Sequence, residues 1–134
     1  MMVFLISVIL FGIVVLIIVS RLARRRPKTL NQDYFQQRWA ELLARVKTPE
    51  GMMLAIIDAD KLLDEALKKH RMKGKTMGER LVSAQRLLSD NDAVWYAHKL
   101  RNRLVHEPNV RLKKNEAKNA LAGFKLGLHD LGAF

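Results

Sequence analysis

The amino-acid sequence predicts an all-α protein, in which one apolar helix precedes a bundle of about five amphipathic helices. Three observations carry this prediction. The first 20 residues contain no charged side chain. After residue 30, apolar residues recur three and four positions apart, and no strand-like alternation is present in the sequence. Short polar segments separate the periodic stretches, which is typical of an up-and-down bundle with one core.

Residues 1–20 predict a membrane-spanning helix. At about 1.5 Å per residue, the apolar run is long enough to cross a hydrocarbon layer of about 30 Å. A cleaved signal peptide is the alternative. Against it, no Lys or Arg precedes the run, the run exceeds the usual signal core, and no small-residue cleavage site precedes Arg21. We therefore expect a retained, single-pass anchor.

A basic linker, residues 21–30, follows the anchor. Cytoplasmic flanks of membrane helices carry an excess of Lys and Arg, so this linker predicts a C-terminal domain on the cytoplasmic face of the cell membrane. A topology signal is the simplest interpretation of these charges, and contact with anionic lipid would accompany it. The basic residues are Arg21, Arg24, Arg25, Arg26 and Lys28.

The remaining domain, residues 31–134, is less basic than the whole chain. The chain has 24 Lys and Arg against 13 Asp and Glu, a net charge of +11. Without the five linker charges, 19 basic residues remain against 13 acidic ones, a net charge of +6. This favours a polyanion over an acidic protein as a partner. Cysteine is absent, which excludes disulfides and thiol catalysis, and we expect no metal site and no cofactor.

Residues 31–70 predict two helices joined by a short turn. Phe35, Trp39 and Leu42 recur at helical spacing, so a helix is expected from residue 31 to about residue 46. Thr48 and Pro49 then supply a capping hydroxyl and a first-turn proline for a helix that runs to about residue 70. Acidic residues of this second helix are interpreted as a solvated face with one member paired to a basic neighbour. They are Asp58, Asp60, Asp64 and Glu65.

Residues 71–134 predict three more helices. Gly74 marks a loop, and Thr76 with Glu79 forms a capping box that opens a short helix. Residues 89–92 cap the next helix, which should end near residue 106 because Pro108 disfavours helical backbone at the preceding residue. A last helix has an apolar four-three spacing and ends before Gly132. The short helix is expected to run through Leu81, Val82, Leu87 and Leu88.

The most informative segment is residues 99–108, because it places an arginine, an amide and an imidazole where a helix must stop. Arg101 supplies a permanent positive fork for phosphate oxygens, and Asn102 hydrogen-bonds in both directions. His106 can exchange protons near neutral pH. None of the other three histidines has an arginine five to seven positions upstream. This set of residue types is suited to phosphate chemistry.

The segment resembles the R-x4-6-H signature of the HEPN superfamily of small helical bundles. Arg101 and His106 match the ends of the motif, Asn102 occupies its favoured polar position, and the apolar flanks also match. The resemblance covers about residues 31–134. It departs at Pro108, where a toxin branch of the family has tyrosine, so the tyrosine-linked regulation of that branch is not carried over.

The resemblance implies a homodimer that binds RNA or cleaves it without a metal ion, with two motifs facing one another across a cleft. In catalytic family members the ribose 2′-OH attacks the adjacent phosphate. His106 would act as general base or acid, Arg101 would hold the phosphate, and Asn102 would orient the imidazole or the substrate. Trp39 and Trp95 are expected in the core. Further candidates for substrate binding are His98, Arg103 and Tyr96, of which Tyr96 is expected to be exposed.

A structural role for the same residues is the alternative. Arg101 and His106 lie about 140° apart on an ideal helix, whereas His98, Asn102 and His106 form one polar line at four-residue spacing. Arg101 could pair with one of the aspartates at positions 58, 60 and 64, and His106 could cap the end of its own helix. The domain would then be a non-catalytic HEPN-like module for self-association or partner docking at the membrane.

Overall fold

The computed structural model describes residues 1–23 and 29–134, and within these ranges it contains six helices and no strand. This confirms the all-α prediction, with an apolar N-terminal helix followed by a helical bundle. The linker residues Arg24, Arg25, Arg26 and Lys28 lie outside the described residues. The helices are α1 (Met2–Ala23), α2 (Gln32–Leu43), α3 (Pro49–Lys69), α4 (Met77–Ala84), α5 (Asn91–His106) and α6 (Lys114–Asp130).

Helix α1 is long and apolar enough to cross a membrane. Its apolar stretch from Met2 to Arg21 covers 20 residues with a mean hydropathy of 3.4, and none of it is buried within the protein. Side chains at positions 1–21 are all exposed. The helix therefore has the length and composition of one membrane span.

The other long helices run up and down around one core. The hydroxyl of Tyr34, at the start of α2, donates to Glu65, near the end of α3. Ser89, just before α5, donates to Asp130, at the end of α6. Both pairs are therefore antiparallel, and α3 contacts each of the other bundle helices. The largest fully buried side chains are Phe35, Ile56, Leu63, Leu67, Leu81, Val94, Phe124 and Leu128.

Local capping signals predicted the helix starts correctly. The side-chain oxygens of Thr48, Thr76 and Asp90 each accept a hydrogen bond from the backbone N–H three positions ahead. Helix α5 ends at His106, and the next residue has the extended backbone expected before Pro108.

Two helices end earlier than predicted. After Leu43 and after Ala84, the backbone N–H groups of Arg45 and Gln85 bond to carbonyls three residues back, which tightens the last turn and ends the α-helix. In α4, Leu81 is buried and Val82 is 56% exposed, so only one face of the helix packs on the bundle. Leu87 follows the end of α4 and is 48% exposed.

Helix α5 packs unusually close to α6. A side-chain carbon at Gly123 of α6 would collide with the backbone carbonyl of Ala93 on α5, so only glycine allows this approach. The contact fixes the position of the helix that carries the motif.

Candidate functional site

Four side chains of α3 and α5 form a closed polar ring. Nδ1 of His98 lies 2.7 Å from Oδ1 of Asp60, and Nε2 of His98 lies 3.2 Å from Nδ2 of Asn102. Nη1 of Arg101 donates to Oδ1 of Asn102 at 2.9 Å, and its Nε lies 3.3 Å from Oδ2 of Asp60. We call these four residues the ring; it joins the motif helix to the middle of α3.

The ring satisfies two buried polar groups. Asp60 is 3% exposed and His98 is 8% exposed. A buried carboxylate needs a compensating charge and hydrogen bonds, which Arg101 and His98 supply. Because a carboxylate only accepts, Nδ1 of His98 is assigned a proton, and Nε2 is assigned as the acceptor from the Asn102 amide. Each member thus fixes the orientation of its neighbour.

The prediction of a solvated acidic face on α3 is wrong for Asp60. This residue lies on the apolar stripe of the helix, four positions after Ile56 and three before Leu63, and both neighbours are fully buried. Of the three aspartates predicted as possible partners of Arg101, Asp60 is the one that pairs with it. Asp58 remains at the surface, 2.7 Å from Arg45.

Asp64 and Arg80 hold α4 against α3. Nε and Nη2 of Arg80 donate to the two carboxylate oxygens of Asp64 at 2.7 and 3.0 Å, and Lys68 lies 2.8 Å from the same carboxylate. Burial by itself would raise the pKa of Asp64. The hydrogen bonds from Arg80 and Lys68 outweigh burial and hold this pKa below its ordinary value.

The ring lines an open cleft of about 430 Å³ between α3, α4 and α5. On the α4 side of the cleft, Gly78 lies next to the edge of the Trp95 indole. Trp95 meets His98 edge-on, with ring centroids 5.9 Å apart, and is only partly buried, whereas Trp39 is buried as predicted. The cleft mixes carboxylates with cations. Its polar and charged lining residues are Asp60, Lys61, Asp64, Thr76, His98, Arg101 and Asn102.

His106 does not belong to this cleft. It is the last residue of α5 and is exposed, and its side chain has no hydrogen bond or ion pair with the residues that the structure describes. The predicted polar line is therefore present from His98 to Asn102 and does not continue to His106. A single chain does not bring Arg101 and His106 together, because their positions on the helix differ by about 140°.

His106 lies instead on a separate, solvent-facing strip of α5. Positions 96, 99, 103 and 106 are three, four and three residues apart and so share one side of the helix. We call Tyr96, Lys99, Arg103 and His106 the α5 strip. Tyr96 is 41% exposed, as predicted, and Lys99 is exposed too.

Within the strip, Arg103 ties α5 to the start of α6. Its Nη2 donates to Glu116 at 3.0 Å, and 41% of its side chain stays exposed. The backbone N–H of Lys113 and then the Arg103 guanidinium hold the pKa of Glu116 below its ordinary value. The carboxylate stays ionised and keeps this end of the strip in place.

No protein-family model, curated protein or solved structure matches this chain. The HEPN resemblance accordingly depends on the motif segment and its helical setting.

Among the described residues, no three His, Asp or Glu side chains are grouped closely enough to hold a metal ion. Sequence reasoning did not assign Lys61 or Thr76 to the site, because only the packing of α4 on α3 places them beside the motif helix.

Proposed function

We propose that this chain is a membrane-anchored, HEPN-like domain that binds RNA and cleaves it without a metal ion. The observation that carries this proposal is the α5 strip, in which exposed Tyr96, Lys99 and His106 lie on one side of the helix with the half-buried Arg103, which is paired with Glu116. Cations in such a line bind successive phosphates, and an exposed aromatic ring can stack on a base. The net charge of +6 for residues 31–134, counted from the sequence, is of the sign that RNA requires.

The position of the strip supports access by a large ligand. The chain enters the bundle at Thr29, near the ends of α3 and α6, whereas His106 lies at the opposite end of α5. Helix α5 has 16 residues and is about 24 Å long, so this distance separates its two ends. With α1 as a single-pass anchor and the bundle in the cytoplasm, the His106 end would point away from the membrane.

Cleavage is assigned to two copies acting together. In a twofold dimer, Arg101 of one copy and His106 of the other could meet one phosphate. His106 would take the proton of the ribose 2′-OH, whose oxygen then bonds to the adjacent phosphorus. The bond from phosphorus to the 5′-oxygen of the next nucleotide breaks, that oxygen takes a proton from water, and a 2′,3′-cyclic phosphate remains.

Arg101 keeps a donor for this task. Its Nη1 and Nε face Asn102 and Asp60, but its Nη2 has no partner among the described residues, and 24% of the side chain is exposed. A guanidinium held by the ring would stabilise charge on the non-bridging phosphate oxygens without having to reorganise. Asn102, next to His106 on the helix, would orient the substrate.

A non-catalytic module for self-association or partner docking is the second candidate. The ring favours it, because Arg101 donates to Asn102 and supplies the counter-charge of Asp60 without a ligand, although its buried Nε makes no hydrogen bond with the described residues. Under this alternative the motif holds α5 on α3, and the exposed strip docks a partner at the membrane surface.

Cleavage of a labelled RNA separates the two candidates. The full chain in nanodiscs should bind a fluorescent single-stranded RNA and cut it in EDTA, leaving a cyclic phosphate. His106→Ala should lower the rate by about 10²-fold or more. His129→Ala, which removes an exposed histidine from the opposite end of the bundle, should not. RNA binding without any cleavage would leave only the non-catalytic module, and absence of binding would contradict the RNA proposal altogether.

A further inference from the structure

A second basic surface lies at the end of the bundle that receives the chain from the anchor. Thr29 and Leu30, the last two residues of the linker, line a pocket together with His70 and Leu131. Nε2 of His70 lies 2.6 Å from the Leu131 carbonyl. The end of α3, the end of α6 and the entry of the chain therefore meet there, and we call this the linker end.

The α3–α4 loop carries three cations; it leaves the linker end at Arg71 and runs along α3 toward the cleft, which Thr76 lines. Arg71 directly follows His70, and Lys73 and Lys75 come next in the loop. All three are exposed, and none of their side chains has an ion-pair or hydrogen-bond partner within the described part of the chain. We call these three residues the loop patch. The carboxylates nearest to the patch are Asp33 in the neighbouring pocket, Asp130 at the end of α6, and Glu79, which accepts from the N–H of residue 75, so the positive charge is confined to the loop.

Helix α4 holds the backbone of this loop in place. The carbonyl of residue 73 accepts from the Ser83 hydroxyl at 2.6 Å, and the carbonyl of residue 74 accepts from Nη1 of Arg80 at 2.8 Å. The N–H of residue 75 donates to the carboxylate of Glu79. The three cations are thus presented on a fixed backbone, so binding to them would order little additional chain.

Arg71 occupies an unfavourable backbone conformation. Its φ is +56°, and its N–H bonds back to the carbonyl of Lys68 while the next N–H bonds to Leu67, which is a helix ending that favours glycine. A charged residue stands where glycine would be more stable. Backbone positions of this kind cluster at functional sites.

The covalent chain limits how far the linker end can be from the anchor. Six residue steps separate Ala23 of α1 from Thr29, and extended chain covers at most about 3.5 Å per step, or roughly 21 Å. If α1 spans a membrane, the linker end lies within that distance of the headgroups. This is about 2.6 Debye lengths at physiological salt, so the headgroups attract a cationic surface only where the tether brings it closer than this maximum distance.

We propose that the loop patch docks the linker end of the bundle onto anionic headgroups of the membrane that α1 spans. This rests on the anchoring part of the proposed function. A bilayer fits better than RNA as the occupant, because the tether keeps the patch at the membrane while the α5 strip extends to the far end. Docking would fix the bundle upright with His106 facing the cytoplasm.

Fluorescence quenching in vesicles tests this proposal with the full chain. The chain lacks cysteine, so one introduced cysteine can carry a fluorophore. His129→Cys places the probe at the linker end and Glu107→Cys places it at the far end; both positions are exposed. Vesicles contain a headgroup-attached quencher in neutral lipid, with or without about 30% phosphatidylglycerol. We expect anionic lipid to increase quenching of the His129 probe at least about twofold, and high salt to reverse the increase. The Glu107 probe should not respond.

Matched triple variants assign the effect to the loop patch. Arg71→Gln with Lys73→Gln and Lys75→Gln should abolish the increase. An equal loss of charge at the far end should leave it intact, and that control changes Arg111, Lys113 and Lys114 to Gln. An anchored protein whose His129 probe ignores anionic lipid, or whose patch variant responds like wild type, would overturn the proposal. Extraction of the wild-type chain by carbonate would instead overturn the anchoring on which it rests.

Discussion

Nδ1 of His98 lies 2.7 Å from Oδ1 of Asp60, although the two residues are 38 positions apart in the chain. This contact sets the orientation of the imidazole. The imidazole in turn orients the Asn102 amide through a hydrogen bond, and the amide oxygen accepts from the guanidinium of Arg101 and orients it. The motif residue that would bind phosphate is therefore positioned by an aspartate on another helix.

Removing the charge of Asp60 should destabilise the bundle strongly. Asp60→Asn leaves Arg101 without its buried counter-charge, and loss of one partner of a buried pair costs about 3 kcal/mol. Asp58→Asn is the matched control, since its pairs with Arg45 and Lys61 are at the surface and should contribute less than about 1 kcal/mol. Urea unfolding in detergent micelles, followed by circular dichroism, measures both. Equal losses would show that the ring contributes nothing special to stability.

A methyl group at Gly123 should force α5 and α6 apart. Gly123→Ala places a carbon against the backbone carbonyl of Ala93, which cannot yield without moving the helix, so we expect a loss of about 2 kcal/mol or more. Gly78→Ala is the control. Its nearest neighbour would be the Trp95 ring at 3.6 Å, an ordinary contact. That variant should be neutral or gain up to about 1 kcal/mol of helix propensity. Unfolding free energies in which both variants behave alike would contradict the close packing.

The local features of this fold could be predicted from the sequence. Thr48, Thr76 and Asp90 cap helices because a side-chain oxygen and an N–H three residues ahead meet without help from the rest of the protein. The His98 to Asn102 hydrogen bond follows from four-residue spacing on one helix in the same way. The apolar character of α1 is likewise a property of consecutive residues.

The ring could not be predicted, because it depends on how α3 and α5 pack. A charged residue in an acidic stretch normally faces water, and in the sequence Asp60 does not differ from the acidic residues around it. The signal for its burial was its helical spacing from Ile56 and Leu63, which places it on their apolar stripe. Helical geometry predicted that Arg101 and His106 point in different directions, but it could not predict that Arg101 pairs with Asp60.

Acid should remove the contribution of the Asp64–Arg80 pair. The folded-state pKa of Asp64 is lowered, so the pair stabilises the protein above the unfolded-state pKa of about 4 and ceases to do so as the pH falls through the lower folded-state value. We expect Asp64→Asn to be less stable than wild type at pH 7 and the difference to shrink below about pH 4. Urea unfolding from pH 7 down to acid pH measures it. A difference that does not change with pH would exclude this linkage.

Glycine at position 71 should stabilise the bundle. Arg71→Gly relieves a positive φ of +56° at the end of α3 and should gain about 1 kcal/mol. Asn109→Gly, at a φ of +59°, should gain less, since asparagine tolerates this conformation better than other non-glycine residues do. A destabilised Arg71→Gly variant would mean that the arginine side chain itself holds the loop.

Mixing two inactive variants is the most direct test of a cleavage site shared between two copies. Arg101→Ala and His106→Ala should each lose RNA cleavage by about 10²-fold. If Arg101 of one copy works with His106 of the other, each mixed dimer contains one intact site. An equimolar mixture, combined in detergent and reconstituted together, should then recover about a quarter of wild-type activity by random pairing. A mixture as inactive as its components, beside an active wild type, would contradict the shared site.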